Sequence, residues 1–418
     1  MTSTTSSSIK NYALVTLAYW GFTITDGALR MLVLLYFNKI GYTPLEIAFL
    51  FLFYEVFGIF TNFFGGWIGS QFGLRVTLYS GLGLQVFALI MLSWVNPSWA
   101  QWLAVSYVMV AQAFSGIAKD LTKMSAKSAI KLVIPEDTES SLFKWVAILT
   151  GSKNALKGLG FFVGSALLTL FGFVNALWIM AGGLFLILFT SIMLPEGMGK
   201  IKQKVKFKEL FSKSQEINIL SAARFFLFGS RDVWFVVGLP VFLEGVLGWS
   251  FYEVGGFMAC WVIGYGIIQS LAPTLIKKFG SGEPPKSKTI QFWTLTLTGI
   301  PGAIAIALQF GLPANWVIVG GLMLFGVVFA FNSAVHSYLV LAFTDDDKVA
   351  LNVGFYYMAN SGGRLAGTVL SGLIYQIFGL VGCLWVSMVF VLGAALVSLK
   401  LPDPQPSKDI VWNAGGGD

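Results

Sequence analysis

Lysines recur at helical spacing through the stretch from Ser115 to Gly164. Lys119, Lys123, Lys127 and Lys131 fall every fourth residue, and Lys153 and Lys157 repeat the interval further on. On a helix such residues form one slowly drifting stripe. Long apolar and glycine-rich runs flank them on both sides. An ammonium at membrane depth costs roughly 2.5–3.5 kcal/mol on insertion scales. A chain that carries several there has a use for them, and the chemistry open to such cations is the binding of anions. Arg30, Arg231 and Arg364 stand in similar apolar runs, with Asn154 and Asn360 close by in sequence. Arg can grip an oxyanion in bidentate fashion, and Lys acts on it as a point charge.

Four carboxylates accompany them. Asp26 and Arg30 stand one turn apart on one helix and can pair. They form either a self-neutralised buried ion pair, or a site where Arg30 touches an anionic substrate while Asp26 orients it or exchanges a proton. Asp232 follows Arg231 directly. Arg231 lies roughly 20 Å along a helix begun near residue 217, which is mid-membrane. Lys119 and Asp120 are the deepest charges of their helix, with Lys123 intermediate. Lys127 and Lys131 are expected in the cytoplasmic mouth. Glu55 is a lone acid in an apolar run, either a capped structural group or a proton carrier. Asp26, Glu55, Asp120 and Asp232 are the candidates for proton coupling. Arg224 is shallower than Arg231, and snorkelling to the interface is its expected role. His336 is the only histidine, expected to make a satisfied polar contact rather than a switch.

No catalytic arrangement accompanies these groups. One histidine and two cysteines far apart, Cys260 and Cys383, exclude the common metal sites and a disulfide framework. Gly-x-x-x-x-Gly-Lys-Ser/Thr does not occur, so transport would run on gradients rather than ATP. No cofactor is expected, and no enzymatic activity. The net charge of +7 lies mostly in loops, which is a topology signal rather than a nucleic-acid footprint.

The elements that must position these residues are membrane helices. The chain is 56% hydrophobic and only 11% charged, where a soluble domain carries about a quarter charged residues. Taking about 20 apolar residues per span, twelve helices are expected. They run near 11–37, 44–69, 76–95, 101–126, 143–169 and 174–194, then 217–243, 250–276, 289–309, 314–342, 349–376 and 380–400. Residues 1–10 read as a polar, disordered tail and not a signal peptide. Residues 195–216, with six lysines, read as a linker between an N-terminal bundle, 11–194, and a C-terminal bundle, 217–400. Residues 401–418 read as a tail. Basic residues cluster in the loops on the linker's side, so both termini are expected to be cytoplasmic, in the cell's inner (plasma) membrane.

The halves repeat at an offset of 207 residues. Gly41–Ala48 matches Gly248–Gly255, Phe72-Gly73 matches Phe279-Gly280, Gly160 matches Gly367, Phe171-Gly172 matches Phe378-Gly379, and Lys157 falls on Arg364. Asp232 lies within one residue of the repeat position of Asp26. This resembles the parallel six-helix repeats of the major facilitator superfamily. The expected fold is therefore an all-α membrane protein of twelve transmembrane helices, in two six-helix bundles related by a pseudo-two-fold axis. In such a fold Lys157 and Arg364 are expected to face each other across a central cavity. The loop Gly66–Arg75 resembles the superfamily's cytoplasmic signature but has Ser70 and Gln71 where Asp and Arg belong. Ser165 follows Gly164 where many antiporters carry proline, so the motif gives no support for proton antiport.

Four long segments carry a more specific resemblance. TDGALRMLVLLYF, SGIAKDLTKMSAKSAIKL, TGSKNALKGLGFF and SAARFFLFGSRDVWFVVGLPV are similar to the ArsJ family of organoarsenical-efflux permeases. The resemblance implies export of 1-arseno-3-phosphoglycerate, which glyceraldehyde-3-phosphate dehydrogenase supplies when arsenate replaces phosphate. That dehydrogenase is a functional partner only, with no direct contact implied. Such a substrate carries an oxyanion at each end, as the lysines and arginines would require. The alternatives are an organophosphate or sugar-phosphate antiporter of the same fold and a drug exporter, against which the cations count.

Overall fold

A chain in lipid has to satisfy its backbone donors and acceptors internally, and helices do so segment by segment. The computed structural model describes residues 2–133, 139–191, 214–279, 285–343 and 349–403. Its regular elements there are helices: α1 (Thr2–Lys39), α2 (Pro44–Leu50), α3 (Leu52–Ser93), α4 (Gln101–Val133), α5 (Glu139–Ser191), α6 (Gln215–Phe235), α7 (Gly238–Gly245), α8 (Phe251–Phe279), α9 (Ser287–Gln309), α10 (Ala314–Ala342) and α11 (Val349–Ser398). Among the described residues nine stretches are long and apolar enough to cross a membrane.

Two of the nine are of double length, 152–189 and 354–398. A straight helix of 53 residues, the length of α5, would reach about 80 Å, against a hydrocarbon core of about 30 Å. The backbone leaves helical geometry at Gly172 (φ 74°) in α5 and at Gly379 (φ 64°) in α11. Glycine takes this left-handed conformation without a Cβ penalty, and the two glycines are repeat partners. Each long element is thus two of the expected helices. α1 is not among the nine, since its start is polar and its middle carries Asp26 and Arg30. The count of twelve is reached when α1 crosses and each double span counts twice.

Three sequence expectations change. The polar start is helical from Thr2 onward; each further residue adds one hydrogen bond to an already nucleated helix. The helix expected at 217–243 is broken into α6 and α7, because Pro240 clashes with a carbonyl one turn back and offers no N–H. The Ser371 hydroxyl accepts from the freed N–H groups of Val237 (3.1 Å) and Gly238 (3.0 Å). Residues 401–403 are tied down: Leu401 is buried, Ser287 N–H donates to Asp403 at 3.0 Å, and the Ser287 hydroxyl donates to the Pro402 carbonyl. The lysines of the linker, and residues 404–418, lie outside the described residues.

The chain divides into two compact units. The first is Met1–Lys39, Phe49–Leu210 and Phe251–Cys260; the second is Ile40–Ala48, Phe211–Ser250 and Trp261–Asp418. In the first, α1 packs on α5; in the second, α6 packs on α11. The small residues that permit this are repeat partners. A Cβ on Gly160 would stand 2.5 Å from the Ile24 carbonyl oxygen, and one on Gly367 would stand 2.7 Å from that of Gly229.

The bundles expected at 11–194 and 217–400 did not include the exchange of Ile40–Ala48 and Phe251–Cys260 between units. Its physical reason is again side-chain size. In the second unit Pro44 and Ala48 lie against Gly372, and in the first Gly255 lies against Ser165. Residues 48 and 255 are repeat partners, as are 165 and 372, so one contact is the copy of the other.

Candidate functional site

In the first unit the charged residues converge from four helices. Asp26 and Arg30 do not pair with each other, contrary to the sequence expectation. Arg30 Nη2 donates to Glu55 Oε1 at 2.8 Å, and the Tyr54 hydroxyl donates to Asp26 at 2.6 Å. Tertiary packing brings α3 against α1 and offers each group a partner better placed than its helical neighbour. The Arg30 guanidinium also lies over the rings of Phe51 and Tyr54, at 5.3 and 5.4 Å. Glu55 is therefore no lone acid. Neither Arg30 nor Glu55 is exposed by more than a tenth.

Asp120 is fully buried and collects the lysine stripe. Its Oδ1 accepts from Lys123 at 2.8 Å, and its Oδ2 from Thr61 at 2.9 Å and Asn62 at 3.1 Å. Lys119 lies 3.9 Å away and 4.2 Å from the centre of the Tyr54 ring. Lys123 donates also to Asn62 Oδ1 at 2.7 Å. Tyr54, Thr61 and Asn62 were not singled out from the sequence; the signal was polar atoms next to Glu55 and about two turns after it. Lys153, Asn154 and Lys157 are half-buried on α5, and Lys157 Nζ stands 6.0 Å from the Phe161 ring centre. The side chains of Lys127 and Lys131 lie outside the described residues.

The second unit is built from arginines. Asp232, fully buried, sits between two of them: Arg231 Nε donates to Oδ1 at 2.7 Å and Arg364 Nε to Oδ2 at 3.2 Å. Arg231 is also flanked by Phe228, Phe235 and Phe329, 5.0 to 5.6 Å from its guanidinium. Arg364 is near the middle of the arm 349–378, as Lys157 is of 139–171.

Two expectations fail here. Arg224 does not snorkel: it is 4% exposed, donates to Asn360 Oδ1 at 3.0 Å and to Ser333 Oγ at 3.2 Å, and stacks 3.9 Å over Phe228. A guanidinium with a ring face and two neutral acceptors can stay inside without reaching the interface. His336 is fully buried, yet among the described residues neither ring nitrogen has a hydrogen-bond partner, so its contact is not satisfied there.

Among the described residues nine stretches long and apolar enough to cross a membrane make this a multi-pass membrane protein. The chain belongs to the Major Facilitator Superfamily, which its residues 13–297 match. Two solved structures share the fold: a bacterial homologue of the iron transporter ferroportin in the inward-facing state (16% identity, TM-score 0.69, covering 94% of this chain and 98% of that one) and in the outward-facing state (16%, 0.66, 94% and 99%). No curated protein sequence matches the chain.

Proposed function

We propose that the protein is a secondary transporter that exports an anionic phosphorylated organoarsenical, 1-arseno-3-phosphoglycerate, by alternating access, and so gives arsenate resistance. The observation that carries this reading is Asp232 shared by Arg231 and Arg364. One carboxylate cannot neutralise two guanidiniums. Like charges about 4 Å apart repel by roughly 4 kcal/mol at an effective dielectric of about 20. An entering oxyanion would bind the two guanidiniums beside Asp232 and permit closure behind it. Lys153, Asn154, Lys157 and Asn360 are the further groups we assign to it, with Lys119 and Lys123 on the approach. Asp26, Asp120 and Asp232 remain the candidates for coupling to protons. Arg30 and Glu55 neutralise each other, so we assign them to the scaffold.

On this reading the protein sits in the inner membrane with both termini in the cytoplasm, and glyceraldehyde-3-phosphate dehydrogenase supplies the substrate. Iron, named for the solved neighbours, fits less well. Among the described residues no group of three or more His, Cys, Asp or Glu could hold a metal ion, and the arginines repel cations. The same arginines would accept an ordinary organophosphate, which is the second reading. Everted membrane vesicles separate the two. Uptake is expected to require arsenate together with glyceraldehyde 3-phosphate, NAD and the dehydrogenase. Equal uptake of phosphoglycerate alone would overturn the arsenical reading and leave the organophosphate one.

A further inference from the structure

Arg224 is the cation that the deeper pair leaves unexplained. Among the described residues no carboxylate lies within ion-pair distance of it. Beside it, three donors converge on one hydroxyl. The Ser333 hydroxyl receives Arg224 at 3.2 Å, Tyr265 at 3.1 Å and Gln269 at 3.2 Å. A hydroxyl oxygen has two lone pairs, so the three donors compete for them. His336 lies one turn from Ser333 on the same face of α10, within the field of the Arg224 guanidinium. Among the described residues both of its ring nitrogens are without partners. Unpaired buried donors cost about 1–3 kcal/mol each, and a buried unmatched charge costs more. A protein retains such an arrangement where a ligand completes it.

We propose that Arg224, His336, Asn360, Tyr265 and Gln269, gathered around Ser333, form a second oxyanion site that takes a free phosphate-type group. A guanidinium at its centre excludes metal cations. Asn360 and Gln269 are half-buried and mark the way in. Arg224 precedes Arg231 by two turns, about 10 Å along the helix, so the site stands one step before the Asp232 pair. The proposal rests on the reading of the protein as an anion carrier, and not on which anion is carried.

Because His336 is the only histidine in the chain, it reports on the site without assignment. Full-length protein labelled with nitrogen-15 histidine, in nanodiscs of uncharged lipid, is titrated with inorganic phosphate at constant ionic strength. The imidazole resonances are expected to shift saturably. Arg224→Gln and Asn360→Ala are each expected to weaken the titration at least tenfold, while Arg364→Gln leaves it in place. Should Arg224→Gln fail to fold, Asn360→Ala decides alone. No shift with phosphate, a shift that survives both variants, or a shift produced by anionic lipid and not by phosphate would overturn the proposal. Loss of arsenical transport in vesicles with the titration intact would overturn the substrate reading alone.

Discussion

The two units bury their charges in different ways. In the first, Arg30 meets Glu55, and Lys119 and Lys123 meet Asp120. In the second, Arg231 and Arg364 share one carboxylate, Asp232, and Arg224 is held by the neutral acceptors Asn360 and Ser333. Lysine can lose its proton when buried, whereas arginine stays charged at any accessible pH. In the first unit Arg30, Lys119 and Lys123 each lie beside a carboxylate. The second buries guanidiniums that stay charged, and on our proposal an anion from outside binds them. The repeat conserved the frame, with Lys157 over Arg364 and Gly172 over Gly379, but not the charge balance. We read the difference as scaffold against binding surface.

The sharpest way to break this comparison is transport itself. Arg364→Ala is expected to lower export in vesicles at least a hundredfold with normal membrane insertion, and Lys157→Ala to lower it strongly. Normal transport in both would remove them from the site. Next in size are the shared acids. Asp232→Asn removes the carboxylate between two buried guanidiniums and Asp120→Asn the one beside two ammoniums, each costing about 3–5 kcal/mol, read as a lowered unfolding midpoint in detergent. A wild-type midpoint in either variant would mean that its cations find other partners.

Replacing a whole buried pair tests scaffold against site directly. A buried pair exchanged for apolar residues of similar volume is often neutral or stabilising by about 1–4 kcal/mol. Arg30→Met with Glu55→Leu is therefore expected to fold and to keep transport, while Asp232→Leu with Arg364→Met folds and loses it. Loss of transport in the first double variant would return Arg30 to the binding site. The smallest effect is expected at the helix crossings, where the units are alike. Gly160→Ala and Gly367→Ala should each cost about 1–3 kcal/mol, by a similar amount in the two units. A large inequality would show that the repeat is not structural there.

Much of the frame was legible in the sequence, because hydropathy and repeat spacing are properties of neighbours along the chain. The turn glycines and the repeat of the two halves follow from local counting. Pairing was not legible in the same way. Asp26 and Arg30 stand at ideal helical spacing, yet each found its partner on α3, since a contact is decided by which helix faces which. Arg224 looked shallow by residue count, and only its packing on Phe228 and Asn360 shows that it is held inside. His336 looked like an isolated polar residue, and only the tertiary structure sets it beside a guanidinium with no partner for either nitrogen among the described residues.

The amino-acid order alone thus determined a helical membrane protein, its doubled frame and the kinds of charge it buries, because the cost of placing polar groups in lipid acts on each segment separately. Which cations are neutralised and which stay in excess was decided only by the fold. Charge balance in a low-dielectric interior is set over a few ångströms of space, among residues such as Asp232 and Arg364 that the sequence places 132 positions apart.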